Sequence, residues 1–245
     1  MNPASVAAEV PVAMVYNGVS HAVMLATPQD LEDFALGFSL SEGILHSPGE
    51  LYGVEVERSA AGIEAQLLIA AERMMELKSR RRSLAGRTGC GLCGAESLAH
   101  AVRIPGPIAP GRGAANAAAV HRAMEELAAR QVLHRETGAT HAAGWAARDG
   151  ELLVAREDVG RHNALDKLIG AMARRKLSGA DGFAVITSRA SSEMVQKAAS
   201  IGIPLLAAMS APTDLAVRLA RDCGLTLIGF VRGSSHTVYS GTTTT

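Results

Sequence analysis

The chain is short of aromatic side chains, which make up 3% of its 245 residues. A core built from it must therefore be mostly Ala, Val, Leu and Ile. It also lacks a surplus of either charge, with 24 basic against 24 acidic residues. A general nucleic-acid surface needs a basic excess, so this balance argues against one. No apolar run approaches the ~18–20 residues that cross a bilayer. The start, Met-Asn-Pro-Ala-Ser-Val, has neither the basic opening nor the apolar stretch of a secretory signal. These absences point to a cytoplasmic protein that engages neither nucleic acid nor membrane. Three cysteines are too few for a disulfide framework. In a reducing compartment a Cys-x-x-Cys pair is more often chemical than structural.

Apolar residues are plentiful, at 48%, enough to bury a substantial core. The length fits one large domain or two small ones. Basic charge is carried by 20 Arg against 4 Lys. Arginine suits bidentate binding of carboxylate or phosphate, although genome base composition explains the bias equally well.

Turn chemistry divides the chain. Pro11–Tyr16 and Ser20–Leu25 flank Asn17-Gly18, a favoured two-residue hairpin turn. Thr27-Pro28-Gln29-Asp30 caps a helix whose Leu31, Phe34, Ala35 and Phe38 share a face, and Gly43 ends it. A second hairpin, Val54–Arg58 with Ile63–Ile69, turns at Ala61-Gly62, and Ala71–Ser83 reads as a helix. Two prolines and three glycines between Gly106 and Gly113 read as a linker. A helix over about Asn116–Leu133 and a hairpin around Asp149-Gly150 follow. From Leu152 onward short apolar strands alternate with helices at about Arg161–Lys176, Ser192–Ile201 and Thr213–Asp222. That rhythm predicts a largely parallel, helix-covered sheet. The expected organisation is an α+β part of hairpins and helices in residues 1–105, joined to an α/β part in residues 106–245.

Cys90 and Cys93 stand in a glycine-flanked stretch, Gly89-Cys90-Gly91-Leu92-Cys93-Gly94, after Arg80, Arg81, Arg82 and Arg87. Three chemistries use such a pair. A zinc site needs four ligands and usually a second pair. Here Cys223 is isolated in an apolar helix, His100 or His141 would have to complete the set, and the deaminase pattern of H-x-E upstream of P-C-x-x-C is absent. Thioredoxin-type exchange places the pair between a strand and a helix start, whereas this one follows a basic helix end. A thiolate carrying sulfur as a persulfide needs nearby positive charge to lower the thiol pKa below ~8.5, which the arginines supply if they fold over the loop. Those arginines serve equally well as solvated partners of a helix C-terminus.

Ligands of open α/β sheets bind beyond the carboxyl ends of the strands. Four segments are expected there, Arg156–Asn163, Ser188–Glu193, Ser210–Asp214 and Phe230–Ser235, polar throughout and rich in hydroxyls or arginine. Helix N-termini attract anions, and Arg161, Arg189 and Arg232 can add bidentate contacts. Together they describe a site for a phosphorylated or nucleotide-like ligand, although each loop taken singly is also a good helix cap. In the helix after Asp158, Ala164, Leu165, Leu168, Ile169 and Met172 make the buried stripe, with Asn163, Asp166 and Lys167 off it. His162 fits a base, a phosphate donor or a satisfied surface histidine.

Three blocks resemble the formate dehydrogenase accessory sulfurtransferase (FdhD/NarQ) family: Thr27–Phe38 with Ser41-Glu42-Gly43; Cys90-Gly91-Leu92-Cys93-Gly94; and Arg156-Glu157-Asp158-Val159-Gly160-Arg161-His162-Asn163-Ala164-Leu165-Asp166-Lys167. The resemblance extends from about Glu9 to Tyr239. Ala139 and Thr187-Ser188-Arg189 depart from it, each one glycine short. The resemblance implies a sulfurtransferase that receives sulfur from a cysteine desulfurase as a persulfide on Cys90, with Cys93 assisting. The acceptor would be the molybdenum bis-guanine-dinucleotide cofactor, before its insertion into formate dehydrogenase. The family's cofactor loop maps onto Phe230, Val231, Arg232, Gly233, Ser234 and Ser235. A cytidine-deaminase-like α/β domain, a homodimer and no structural metal are further expectations. A cofactor chaperone whose thiols are incidental, and a zinc hydrolase, are the alternative readings.

Overall fold

The computed structural model describes residues 5–84, 106–108 and 115–244. Cys90, Cys93 and Arg87 lie outside the described residues, as do the side chains of Arg80, Arg81 and Arg82.

Strands β1 (Val10–Tyr16), β2 (Val19–Ala26), β3 (Leu51–Ser59) and β4 (Gly62–Ile69) form a mixed four-stranded sheet in the order β2-β1-β4-β3. Both expected hairpins are present as antiparallel pairs, and β1 pairs β4 in parallel. Asn17 and Gly18 both take positive φ, which the tight twist of a two-residue hairpin turn requires. Helices α1 (Leu31–Ser41) and α2 (Ala71–Leu84) cover the inner face. There Phe34 and Ala35 of α1, and Met74 and Leu77 of α2, pack on Met14, Tyr16 and Leu67.

The second sheet has six strands in the order β11-β10-β9-β8-β6-β7, after a short β5 (Ala115–Asn116). Its members are β6 (His141–Ala147), β7 (Leu152–Asp158), β8 (Gly182–Ile186), β9 (Leu205–Ala208), β10 (Thr226–Arg232) and β11 (Ser235–Ser240). This sheet is mixed rather than largely parallel. Only β8, β9 and β10 pair in parallel, while β6 runs antiparallel to both β7 and β8. The Asp149-Gly150 turn is the cause: it folds β7 back on β6 as a hairpin, so β7 sits at an edge instead of opening the parallel series. Helix α3 (Ala117–Arg130) covers one face, where Val120, Ala123 and Leu127 meet Phe183, Val185 and Ile228. The helix expected to Leu133 breaks at Gln131, and α4 (Val132–Thr137) is a separate turn-sized helix. On the other face lie α5 (Arg161–Arg174), α6 (Ser192–Ser200) and α7 (Asp214–Cys223). Leu165, Leu168, Met172, Val195 and Leu219 from these helices pack on Trp145, Ile186 and Leu206. A final strand, β12 (Thr243–Thr244), pairs in parallel with β5.

Helix α1 holds the two sheets together. It packs on the four-stranded sheet on one side and on α5 on the other, and two glycines let the α1 and α5 backbones touch. A Cβ on Gly37 would overlap the Asp166 carbonyl and come within 2.6 Å of the Gly170 nitrogen; one on Gly170 would overlap the Asp33 carbonyl. A helix-interior Gly→Ala change ordinarily gains up to ~1 kcal/mol. Here the obstacle is backbone, which cannot rotate away, and overpacking costs about 1–3 kcal/mol or more. Gly37→Ala is therefore expected to be net destabilising, read as a lower Tm in thermal unfolding; a raised Tm would refute the close crossing.

Polar residues of α5 that the helical pattern placed off the buried stripe are buried here by α1. Lys167 has no exposed surface. Its Nζ lies 2.6 Å from Asp158 Oδ2 and donates to the Thr27 hydroxyl (2.6 Å) and carbonyl (3.1 Å). Asp158 also accepts from the Thr27 amide and hydroxyl, the Gly160 amide and Asn163 Nδ2. Burial pulls the Lys167 pKa below the ordinary lysine value, against the pull of Asp158. A second cluster lies farther along α1, where Lys197 Nζ donates to Asp166 at 3.0 Å, Ser41 at 2.9 Å and Glu42 at 2.8 Å. Burial alone would lower the Lys197 pKa, but Asp166 and Glu42 outweigh it and raise it.

Candidate functional site

The register aligns the strand ends. Because β6 is antiparallel to both β7 and β8, the carboxyl ends of β7, β8, β9 and β10 share one edge with the start of β6. All four segments expected at the strand ends therefore meet there. The β8 and β9 connections are tied by a bridge between Ala190 and Pro212, with Thr213 N donating to Ala190 O at 3.0 Å. Phe230 N donates to Ser210 O at 3.2 Å, tying in the end of β10.

Arg161 and His162 open α5, and Ser191 is the N-cap of α6. The Arg161 Nε and Ser191 Oγ atoms are buried and have no hydrogen-bond partner among the described residues. A buried donor left unpaired costs about 1–3 kcal/mol, so both are donors open to a water or a ligand oxygen. His141 begins β6 opposite Asp158, one residue before Ala142, whose carbonyl accepts from Thr187. That register sets His141 between the Arg161 and Arg189 loops. Burial depresses the His141 pKa, and Arg161, His134 and Arg189 depress it further. His162 Nε2 lies 2.6 Å from Glu193 Oε2. Its pKa is also lowered, first by burial, with Arg161 and Lys197 adding to it and Glu193 opposing. Both shifts favour the neutral ring, so the edge draws its positive character mainly from arginine and helix ends.

The stretch Phe230–Ser235 is the tip of a β-hairpin rather than an open loop. Phe230 to Arg232 complete β10, Gly233-Ser234 makes the turn and Ser235 starts β11. An extra residue in β10 between Gly229 and Arg232 bulges the strand. Phe230 sits in the bulge with φ 53° and 43% of its surface exposed. Left-handed backbone costs a residue with a side chain roughly 1–2 kcal/mol, and such strain concentrates at functional sites. Val231 faces the other way, into the core under α3. Arg232 is exposed, with Nε 3.4 Å from Met209 O.

Arg161, His162, Arg189 and the hairpin tip, the residues expected from the sequence at the strand ends, all lie at this edge. From the sequence His141 enters a zinc reading instead, because only strand register brings that residue to this edge. Conversely, Asp158, Asn163, Asp166 and Lys167 from the longest recognisable block hold α5 to the first half of the chain, and of that block Arg161 and His162 open α5 at the strand edge.

The fold and edge together define an α+β protein with an anion-friendly rim on a mixed sheet. The chain belongs to the FdhD/NarQ family, whose pattern matches residues 7–245. It is 58% identical over 235 residues to the sulfur carrier protein FdhD of Variovorax paradoxus, covering 96% of this chain and 84% of that one. A second sulfur carrier protein FdhD, from Bordetella bronchiseptica, is 58% identical over 238 residues, covering 96% and 85%. A crystal structure from Desulfotalea psychrophila, described as a formate dehydrogenase accessory protein, superposes with a TM-score of 0.73 at 27% identity, covering 96% of this chain and 88% of that one.

Proposed function

We propose that this protein is a sulfur carrier serving formate dehydrogenase. The Cys90 thiolate attacks the terminal sulfur of a persulfide on a cysteine desulfurase. The donor's S–S bond breaks, its thiolate leaves, and Cys90 holds the sulfane sulfur. The Cys93 thiolate then attacks the Cys90 sulfur, and the bond to the outer sulfur breaks. That sulfur leaves as hydrosulfide to the molybdenum bis-guanine-dinucleotide cofactor as acceptor. The Cys90–Cys93 disulfide left behind is reduced by a dithiol reductant before the next cycle. The acceptor is bound at the shared strand edge of the six-stranded sheet. Phe230 offers a nucleobase a stacking face, and Arg161, Arg189 and Arg232 with the α5 and α6 N-termini take phosphate oxygens. Gly233, Ser234 and Ser235 allow close backbone approach at the hairpin tip. Val231 anchors that tip from the core, and His162 offers a neutral ring at the rim. The protein acts in the cytoplasm as a homodimer.

The observation that carries the acceptor half is the strained, exposed Phe230 beside an edge with buried polar atoms left unpaired. The donor half rests on the Cys-x-x-Cys pair and on the names of the relatives. Intact mass spectrometry after incubation with desulfurase and cysteine tests it. A gain of ~32 Da mapped to Cys90 is expected, the sulfur counterpart of reversible thiolate caps. A gain confined to another residue, or none, would refute the assignment.

A further inference from the structure

A groove of about 680 Å³ lies at the junction of the two sheets, between the start of α1, strand β3 and the end of α5. Its far end is well away from the strand edge, since the 14 residues of α5, rising ~1.5 Å each, put Arg174 about 20 Å from Arg161. At its near end Arg156, from the segment that reaches that edge, turns its side chain into the groove toward Asp33. The groove's volume falls within the range of about 300–1,000 Å³ typical of binding clefts. Pro28, Val56 and Ala171 give part of its wall an apolar lining.

The charged walls do not balance locally. Arg156 donates twice to Asp33 Oδ2, at 2.9 and 2.6 Å, and lies 3.5 Å from Asp30. Arg174 pairs with Glu32 at 2.7 Å and with the other oxygen of Asp33 at 3.3 Å. Those two arginines engage all three carboxylates of the groove. Arg58 and Arg175, both exposed, have no carboxylate partner among the described residues. Arg58 donates to Pro28 O and Arg175 to Leu153 O, each at 3.1 Å. A guanidinium has five donors in a fixed fork, so both keep donors for incoming carboxylates.

We propose that this groove docks an acidic segment of a partner protein, whose carboxylates pair with Arg58 and Arg175 while its intervening side chains lie along the apolar wall. An extended chain suits a cleft that runs from a strand to a helix end, and arginine clusters are a recurring means of binding acidic motifs. The Arg156–Asp33 pair forms the rigid floor, since Asp33 is almost fully buried. A basic segment would meet carboxylates already taken.

Fluorescence anisotropy with a panel of labelled acidic peptides, including one of alternating glutamate and alanine, tests the proposal on the full-length protein. Saturable, salt-sensitive binding is expected, weakened about tenfold or more by Arg58→Glu and again by Arg175→Glu, as loss of charge-assisted bonds implies. Arg189→Ala, at the other site, leaves this binding unchanged. Failure of every acidic peptide to bind, equal binding of the lysine counterpart, or indifference to the double reversal would overturn the proposal. Because the readout uses neither sulfur nor nucleotide, it stands or falls apart from the carrier function.

Discussion

Cys90→Ala protein is expected to fold normally, to bind GDP as the parent does, and to gain no sulfur from a cysteine desulfurase. The expectation follows from separating donor and acceptor chemistry in the chain. Sulfur capture needs a thiolate, and alanine removes the nucleophile outright, so the loss is of all-or-none size rather than a shift in affinity. In the proposed site nucleotide binding depends on the strand-edge groups and not on the thiol. The converse variant, Phe230→Ala, should load sulfur fully yet bind GDP about tenfold or more weakly, since stacking of a base on an aromatic ring is worth ~1–3 kcal/mol. If Cys90→Ala still activates formate dehydrogenase fully, the thiol is incidental and the chaperone reading takes over. If both Cys90→Ala and Phe230→Ala abolish sulfur loading, the two functions are not separable as argued.

Lys167→Met is expected to cost about 3–5 kcal/mol, a large part of the roughly 5–15 kcal/mol that holds a typical domain together. Methionine fills a similar unbranched volume, so packing is preserved and the loss is electrostatic. The variant strips Asp158, which has no solvent-exposed surface, of its counter-charge. The Thr27, Gly160 and Asn163 bonds remain, but they cannot neutralise a buried carboxylate. Adding Asp158→Asn removes the stranded charge and should recover part of the loss, because replacing a buried pair costs less than breaking it. Urea unfolding with an unchanged m-value would read this directly. A single variant as stable as the parent would show that the pair contributes little.

The parts of this structure legible in the sequence were those written locally. Asn17-Gly18, Ala61-Gly62 and Asp149-Gly150 turn the chain over a few residues, and each marks a hairpin. Gathering of the Arg161, Arg189 and Phe230 segments on one edge was readable too, because alternation of strands and helices constrains topology. The parallel pairing of β1 with β4 was not readable, since those strands are far apart in sequence and join only when β3 folds back. Nor was the burial of Asp166 and Lys167. A one-helix pattern describes one buried stripe, and α5 has two, the second imposed by α1 at the Gly37 and Gly170 crossing.

The buried lysines bear on how such sequences are sorted. The block from Arg156 to Lys167 is the most conspicuous signature in the chain, yet Asp158, Asn163 and Lys167 within it answer to Thr27 and Leu25 rather than to any ligand. A chain that kept this block and lost both cysteines of the Cys-x-x-Cys pair would keep these contacts between the two halves of the fold, while under the proposed function it would carry no sulfur. Kinship and competence are, under the proposed function, recorded in separate letters, and a genome survey for working carriers would then ask for Cys90 and the Phe230 hairpin by themselves.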